Sequence, residues 1–410
     1  MLNIIWISFF VIAFVAAVWQ TLVGNSEVWT LIVNSTFASA KTAFSVSINL
    51  TGILCLWLGL LKIAEVSGIT NVLARGLYPL FKRIMPEIPA NHPSLSSMIM
   101  NIAANMLGLD NAATPMGLKA MEQMQELNPK KDTASNAQIM FMVLNSSAVT
   151  IIPITILMYR AEFGSVNPTS VFIPILLATS ISTFVGFLSV VFMQRLNIFN
   201  KVVMAYIFGF AALLAGIVYL FQSMDVENRA KYSADFGNFI LFGIMIGFIV
   251  SGIVKKINVY ETFIKGAKEG FEIAIRIIPY LVAMLVAIGV LRASGALQAA
   301  IMMLESCIAW MGFNTDFVAA MPVAIIKPLS GSGARAMMIE TFQNYGVDSF
   351  SSFLASIFQG STETTFYVLA VYFGAVKITK VRHALGCALF ADLIAVIAAI
   401  YFARLFFVVN

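Results

Sequence analysis

Apolar runs of about 20 residues recur along the whole chain, and nothing else in the sequence constrains the fold as strongly. A helix of that length crosses the hydrocarbon core of a bilayer. The runs lie at about 4–23, 44–61, 138–158, 171–192, 202–221, 236–254, 271–291, 350–373 and 384–407. With 60% hydrophobic and only 11% charged residues over 410 positions, the chain reads as an all-α polytopic membrane protein. In lipid every backbone polar group must be satisfied internally, so a polar interruption survives only if buried in protein or lining a watery cavity. Two such interruptions occur, NMLGLDNAAT at 105–114 and KPLSGSGAR at 327–335.

The first run, 2–23, ends in small residues as a signal peptide does. Its first Lys or Arg is as late as Lys41, and it is long enough to span, so it is read as a retained helix. The net charge is +5 and the pI near 9.0, but Lys and Arg gather at the ends of the apolar runs. That placement excludes a nucleic-acid surface and reports membrane orientation. Cys55, Cys307 and Cys387 stand apart in separate runs, and His92 and His383 are distant, so no disulfide framework or metal-ligand pattern is visible. No H-E-x-x-H, G-x-S-x-G or phosphate-binding loop occurs, which argues against an enzyme and against any cofactor.

Self-comparison finds few identities but an ordered set of landmarks. AKTAF at 40–44 aligns with AKEGF at 267–271, and at the same offset Ser67 and Gly68 fall on Ser294 and Gly295. LGLDNA at 107–112 lies over LSGSGA at 329–334 with a small register change, and LNSS at 144–147 matches FQGS at 358–361. The pattern predicts two repeats, 1–198 and 226–410, joined by one span within 199–225. Each repeat is expected to hold a span, an amphipathic piece, a span, a second amphipathic piece, a re-entrant hairpin and two spans. The amphipathic pieces fall at 34–43, 69–84, 261–270 and 297–310, and the hairpins at 94–126 and 316–344. The single extra span puts the second copy into the membrane the opposite way up. Threaded so, fifteen of the 25 Lys and Arg lie inside and six outside, with the N-terminus inside and the C-terminus outside.

Around the first interruption stand Asn101, Asn105, Asp110, Asn111 and Thr114, followed in the next span by Asn145, Ser146, Ser147 and Thr150. The second contributes Lys327, Ser330, Ser332 and Arg335, followed by Gln359, Ser361, Thr362, Glu363 and Thr364. An inverted packing would bring both tips and both polar spans to one central solute site. Polar groups at this depth are costly unless they serve a pathway or satisfy one another, so a structural ion-pair network of Asp110 and Glu363 with Lys327 and Arg335 stands as the alternative. Helices starting after Gly108 and after Gly331 and Gly333 would aim free amides into the cavity, favouring an anionic or strongly polar group. Lys327 and Arg335 suit a carboxylate, a phosphate or an electron-rich base edge. Asp110 and Glu363 could instead hold Na+ or a proton, and the sequence leaves these roles open. Gly243, Gly247 and Ser251 form a small-residue stripe expected at close helix packing. Arg276 is expected to snorkel to the cytoplasmic interface.

WLGLLKIAE at 57–65, NIAAN at 101–105, NAATP at 111–115 and KAMEQ at 119–123 make the first half similar to bacterial spore maturation protein A. GAKEG at 266–270, RIIPYLVAM at 276–284, RASG at 292–295, KPLSGSG at 327–333 and QGSTETTFY at 359–367 make the second resemble spore maturation protein B. The chain thus looks like the two joined end to end. The resemblance implies the nucleoside-recognition (Gate) domain, similar to hairpin modules of concentrative nucleoside transporters and ferrous iron permeases. It also implies a place in the bacterial cytoplasmic (inner) membrane. The expected function is a secondary transporter or exchanger of a small polar, anionic or nucleoside-like solute. A non-transporting sensor or scaffold for envelope or spore maturation is the alternative. The solute and the lipid bilayer are the expected partners, and assembly into a homo-oligomer is left open.

Overall fold

The computed structural model describes residues 2–89, 91–108 and 110–407, without the side chains of residues 2, 110–112, 226, 227 and 230. The chain forms, in order, α1 (Leu2–Leu22), α2 (Val28–Ser67), α3 (Ile69–Ile84), α4 (Pro93–Met106), α5 (Asp110–Leu127), α6 (Asn136–Ser146), α7 (Ile154–Glu162), α8 (Phe172–Gln194) and α9 (Lys201–Gln222). Then follow α10 (Val226–Val254), α11 (Val259–Ala293), α12 (Ala296–Trp310), α13 (Met321–Ile326), α14 (Gly331–Tyr345), α15 (Phe350–Ser361), α16 (Thr365–Ala375) and α17 (Ala384–Phe406). Among the described residues seven helices, α1, α2, α8, α9, α10, α11 and α17, are long and apolar enough to cross a membrane. The chain is a multi-pass, all-α membrane protein.

Two expectations from the sequence are corrected in the same way. The amphipathic pieces at 34–43 and 261–270 are not separate helices, for each continues without interruption into the apolar run behind it, giving α2 its 40 residues and α11 its 35. No proline stands in α2, and the helix runs on until Gly68, whose φ of 79° lies in the left-handed region that a side chain disfavours. Gly295, at φ 73°, follows the end of α11 in the same conformation, so the aligned Ser-Gly pairs are matching helix stops.

Two expected spans are broken. The run at 138–158 divides into α6 and α7, and the run at 350–373 into α15 and α16. At the first break Pro153 lacks an amide hydrogen and disfavours helix at Ile152, while the Ser146 and Ser147 hydroxyls both donate back to Val143 O. At the second, Thr362 turns to extended backbone with φ −146° and ψ 167°. Hydrophobicity alone does not reveal these breaks, because apolar residues flank them on both sides.

α2 and α11 pack against each other over most of their length, and they run antiparallel. Gly266 sits on Leu58 and Gly59, Gly270 on Leu54 and Cys55, and Gly289 on Ser35 and Ser39, so positions on α2 fall as those on α11 rise. A Cβ at Gly270 would stand 2.8 Å from Leu54 O and 2.9 Å from the Cys55 backbone. Small residues allow this approach, as in other membrane helix pairs. The expected stripe at Gly243 and Gly247 does not do so: among the described residues, no other helix comes within 4 Å of either Cβ position. Ser251 of that stripe does make a contact, Oγ to Oγ of Ser67 at 2.8 Å. α1 leans on α11 through Trp6 Nε1 donating to Ala283 O at 3.0 Å.

Candidate functional site

Four interruptions in the helices converge at one place. The turn between α4 and α5 meets the α6–α7 break, where Ile151 N donates to Met106 O at 2.9 Å and Asn105 Nδ2 to Asn145 Oδ1 at 2.8 Å. The segment between α13 and α14 meets the α15–α16 break, with Phe366 N donating to Pro328 O at 3.0 Å. The two broken helices meet each other where Glu363 N donates to Ser146 O at 2.9 Å. Amides freed by the unwinding are therefore satisfied across the breaks, the condition for irregular backbone deep in a membrane protein.

The broken helices also run antiparallel. The start of α6 meets the chain after α16, through Arg382 Nη1 donating to Ala134 O at 3.0 Å and an ion pair of Lys380 with Asp132 at 2.7 Å. The end of α7 meets the start of α15, where Arg160 pairs with Asp348 at 2.9 Å.

At the turn after α4, Gly108 takes φ 73°, and α5 begins at Asp110. The side chains of Asp110 and Asn111 lie outside the described residues. α14 begins at Gly331, so Gly331 and Gly333 belong to its first turn and do not precede it. Ser330 caps it, accepting from Gly333 N at 3.0 Å, with Ser332 Oγ 3.3 Å away. Asn101 is fully buried and donates to Ala113 O at 2.8 Å and to Tyr372 Oη at 3.2 Å. Ser361 is buried with its hydroxyl donating to Phe358 O at 3.0 Å, and Thr362 and Thr364 are buried beside it. Thr114 and the Glu363 side chain are exposed and stand apart from the buried set. Gln359 is buried, with Nε2 at 3.5 Å from Gly331 O.

Beside this junction lies a cavity of about 330 Å³, within the range of small-ligand sites. Its wall includes Gly108 at the first turn, Arg335 in α14, Trp57, Tyr159, and the charged group of Lys62, Glu65, Glu269 and Arg276. Lys62 lies 3.1 Å from both Glu65 and Glu269, so the charged end of the cavity joins α2 to α11. Arg276 thus faces the cavity. The Arg335 guanidinium sits over the Tyr159 ring, 5.9 Å from its centroid. Buried polar atoms without a hydrogen-bond partner among the described residues are Asn101 Oδ1, Asn136 Oδ1, Arg160 Nε, Arg335 Nε, Gln359 Oε1 and Asp392 Oδ1. Such atoms are costly, and three of the six belong to candidate site residues of the sequence, Asn101, Arg335 and Gln359.

The nucleoside-recognition (Gate) family model matches residues 47–164 and 274–379, more than half of the chain. The chain belongs to the Gate family. Spore maturation protein A of Bacillus subtilis (strain 168) is 42% identical over 183 residues, covering 44% of this chain and 90% of that protein. Spore maturation protein B of the same organism is 49% identical over 164 residues, covering 40% of this chain and 90% of that protein. No solved structure matches. Each matched Gate segment holds one pair of helices joined at a polar turn and one broken helix, and the junction described above lies between the two segments.

Sequence reasoning missed three residues of the junction. Tyr159 and Tyr372 look like ordinary packing bulk in apolar runs. Asp392 lies outside both Gate segments, in α17, and carries the signal that should have found it, a single carboxylate inside a span.

Proposed function

We propose that this chain is a secondary transporter or exchanger of a small polar solute, anionic or nucleoside-like, in the bacterial cytoplasmic (inner) membrane. The observation that carries the reading is the junction itself: four helix interruptions, two from each Gate segment, bonded together beside a cavity with an arginine Nε left unpartnered. Discontinuous helices meeting at the midplane are how secondary transporters expose backbone and side-chain polarity to a solute. Arg335 over Tyr159 supplies a cation and an aromatic face, which suits a carboxylate, a phosphate or a base edge.

The repeats are 1–198 and 226–410, inverted about an axis in the membrane plane, with α9 joining them and the paired helices around each polar turn forming re-entrant hairpins. The antiparallel contact of α2 with α11 supports inversion, because the aligned landmarks make these helices equivalent. The antiparallel broken helices support it too, and so does the exchange in which α1 packs on α11 and α10 on α2. Na+ or a proton couples the cycle, the N-terminus lies inside and the C-terminus outside, and self-association is open.

The maturation role in the names of the two relatives favours a second reading, a sensor or scaffold that binds at the same junction without moving solute. Purified protein in proteoliposomes, offered labelled nucleosides, amino acids and organic acids under Na+ or H+ gradients, separates the two. Uptake that Arg335→Ala abolishes supports transport. Ligand-induced thermal stabilisation without flux would replace it by the sensor.

A further inference from the structure

Asp392 is the ninth residue of the 23-residue α17, about 12 Å along the axis from its start, and it is only 6% exposed. Its Oδ2 accepts from Thr365 Oγ1 at 2.7 Å, a fully buried hydroxyl in the first turn of α16. Its Oδ1 has no hydrogen-bond partner among the described residues. Lys327, at the turn before α14, is near enough to act on it electrostatically. The helices packed against α17 in this region, α6, α8 and α15, carry no ionisable side chain, and α16 carries only Tyr367 and Tyr372. α10 has its ionisable residues, Glu227, Arg229, Lys231, Tyr232 and Asp235, in its opening turns, and the remaining ionisable groups of α17 are Cys387, Tyr401 and Arg404. Lys327 is therefore the charge that acts on Asp392 among the described residues.

We propose that Asp392 is the proton-binding residue of this protein. This rests on the transport reading above and specifies its coupling ion. A carboxylate with one oxygen unpaired in an apolar span sheds the cost of its charge by taking a proton. In the ionised form the carboxylate keeps the Thr365 bond at Oδ2 and leaves Oδ1 open. A proton from one aqueous face binds Oδ1 as solute enters the junction, the Thr365 bond stays, and the proton leaves to the other face as the solute is released.

The test uses the full chain in lipid nanodiscs and the proton as probe, read by infrared difference spectroscopy across pH in H2O and D2O. The wild type is expected to show a protonated-carboxyl carbonyl band that titrates and is absent from Asp392→Asn. Lys327→Met is expected to keep the band to a pH at which the wild type has lost it, about one unit higher or more. Thr365→Val, which removes the donor to Oδ2 and leaves the carboxyl in place, is expected to move the same titration should Asp392→Asn not fold. A wild-type spectrum with no titrating band, or one that none of these variants alters, overturns the proposal. Flux keeps the two readings apart. If Asp392→Asn still exchanges solute but no longer accumulates it against a pH gradient, both stand. A titrating Asp392 in a protein that moves no solute overturns transport and leaves the proton site.

Discussion

Arg335 concentrates the chemistry of the cavity because its guanidinium is held over Tyr159 while Nε lacks a partner. A planar fork on an aromatic face is not reproduced by an ammonium, so Arg335→Lys should behave much like Arg335→Ala. A charge-assisted hydrogen bond contributes about 1.5–3 kcal/mol, so either variant should weaken solute binding about 10- to 100-fold, read as loss of ligand-induced thermal stabilisation. Full affinity in Arg335→Ala would remove Arg335 from the site. Ser330 is different in kind. Its oxygen is engaged with Gly333 N, so Ser330→Ala should cost about 1 kcal/mol of stability through the lost cap. The melting curve of the unliganded protein measures that loss.

At the scale of elements the landmarks recoverable from sequence were those that stop or bend helices. Ser67-Gly68 and Ser294-Gly295 align in the sequence alone, and Gly68 and Gly295 are both left-handed helix ends. The interruptions at Gly108 and at 327–330 are legible for the same reason, since Gly108 and Ser330 break apolar sequence there. What was not legible depended on partners. Glu363 N donating to Ser146 O joins the α6–α7 and α15–α16 breaks, and α2 lies along α11, contacts that no local sequence signal announces. Gly270→Leu should therefore separate α2 from α11 and destabilise the protein by about 1–3 kcal/mol or prevent its accumulation. Gly243→Leu, which meets open space, is the matched control, and equal melting of the two would refute close packing at Gly270. The N-terminal end of α17 adds a pH dependence. Gln194 Nε2 donates to Asn136 O at 3.0 Å, which identifies it as the amide nitrogen, and it lies 3.3 Å from His383 Nε2, which must then accept as the neutral ring. Burial, and then the charge of Arg382, hold His383 below its ordinary 6.5. A lowered pKa in a base means the neutral form is favoured on folding. Its stabilising share is complete above pH 6.5 and is lost as pH falls through the folded value. Thermal unfolding from neutral to mildly acidic pH should show a decline in the wild type that is flatter in His383→Gln.

Across the whole molecule the two broken helices are fastened to each other at both ends, by ion pairs of unequal strength. At one end Arg160 is 1% exposed and holds Asp348 Oδ1 at 2.9 Å and Val347 O at 3.1 Å, while Ser165 Oγ and Val166 N also donate to the Asp348 carboxylate. At the other, Asp132 and Lys380 pair at 2.7 Å with more than half of each side chain exposed. An exposed pair is screened and contributes little, whereas removing one member of a buried pair leaves an uncompensated charge. Asp348→Ala should cost about 3 kcal/mol, the low end for a buried pair because Asp348 is 41% exposed, and Lys380→Ala should leave the melting midpoint where it was. The exposed end is held instead by backbone bonds, Ala134 N donating to Lys380 O and both Thr379 N and Lys380 N to Asp132 O, each at 3.0 Å, so it stays fastened without the ion pair. Native-state hydrogen exchange at Ala134 and Thr379 should therefore be unchanged in Lys380→Ala, whereas Asp348→Ala should speed exchange at 163–168. Faster exchange at Ala134 in Lys380→Ala would assign that fastening to the ion pair.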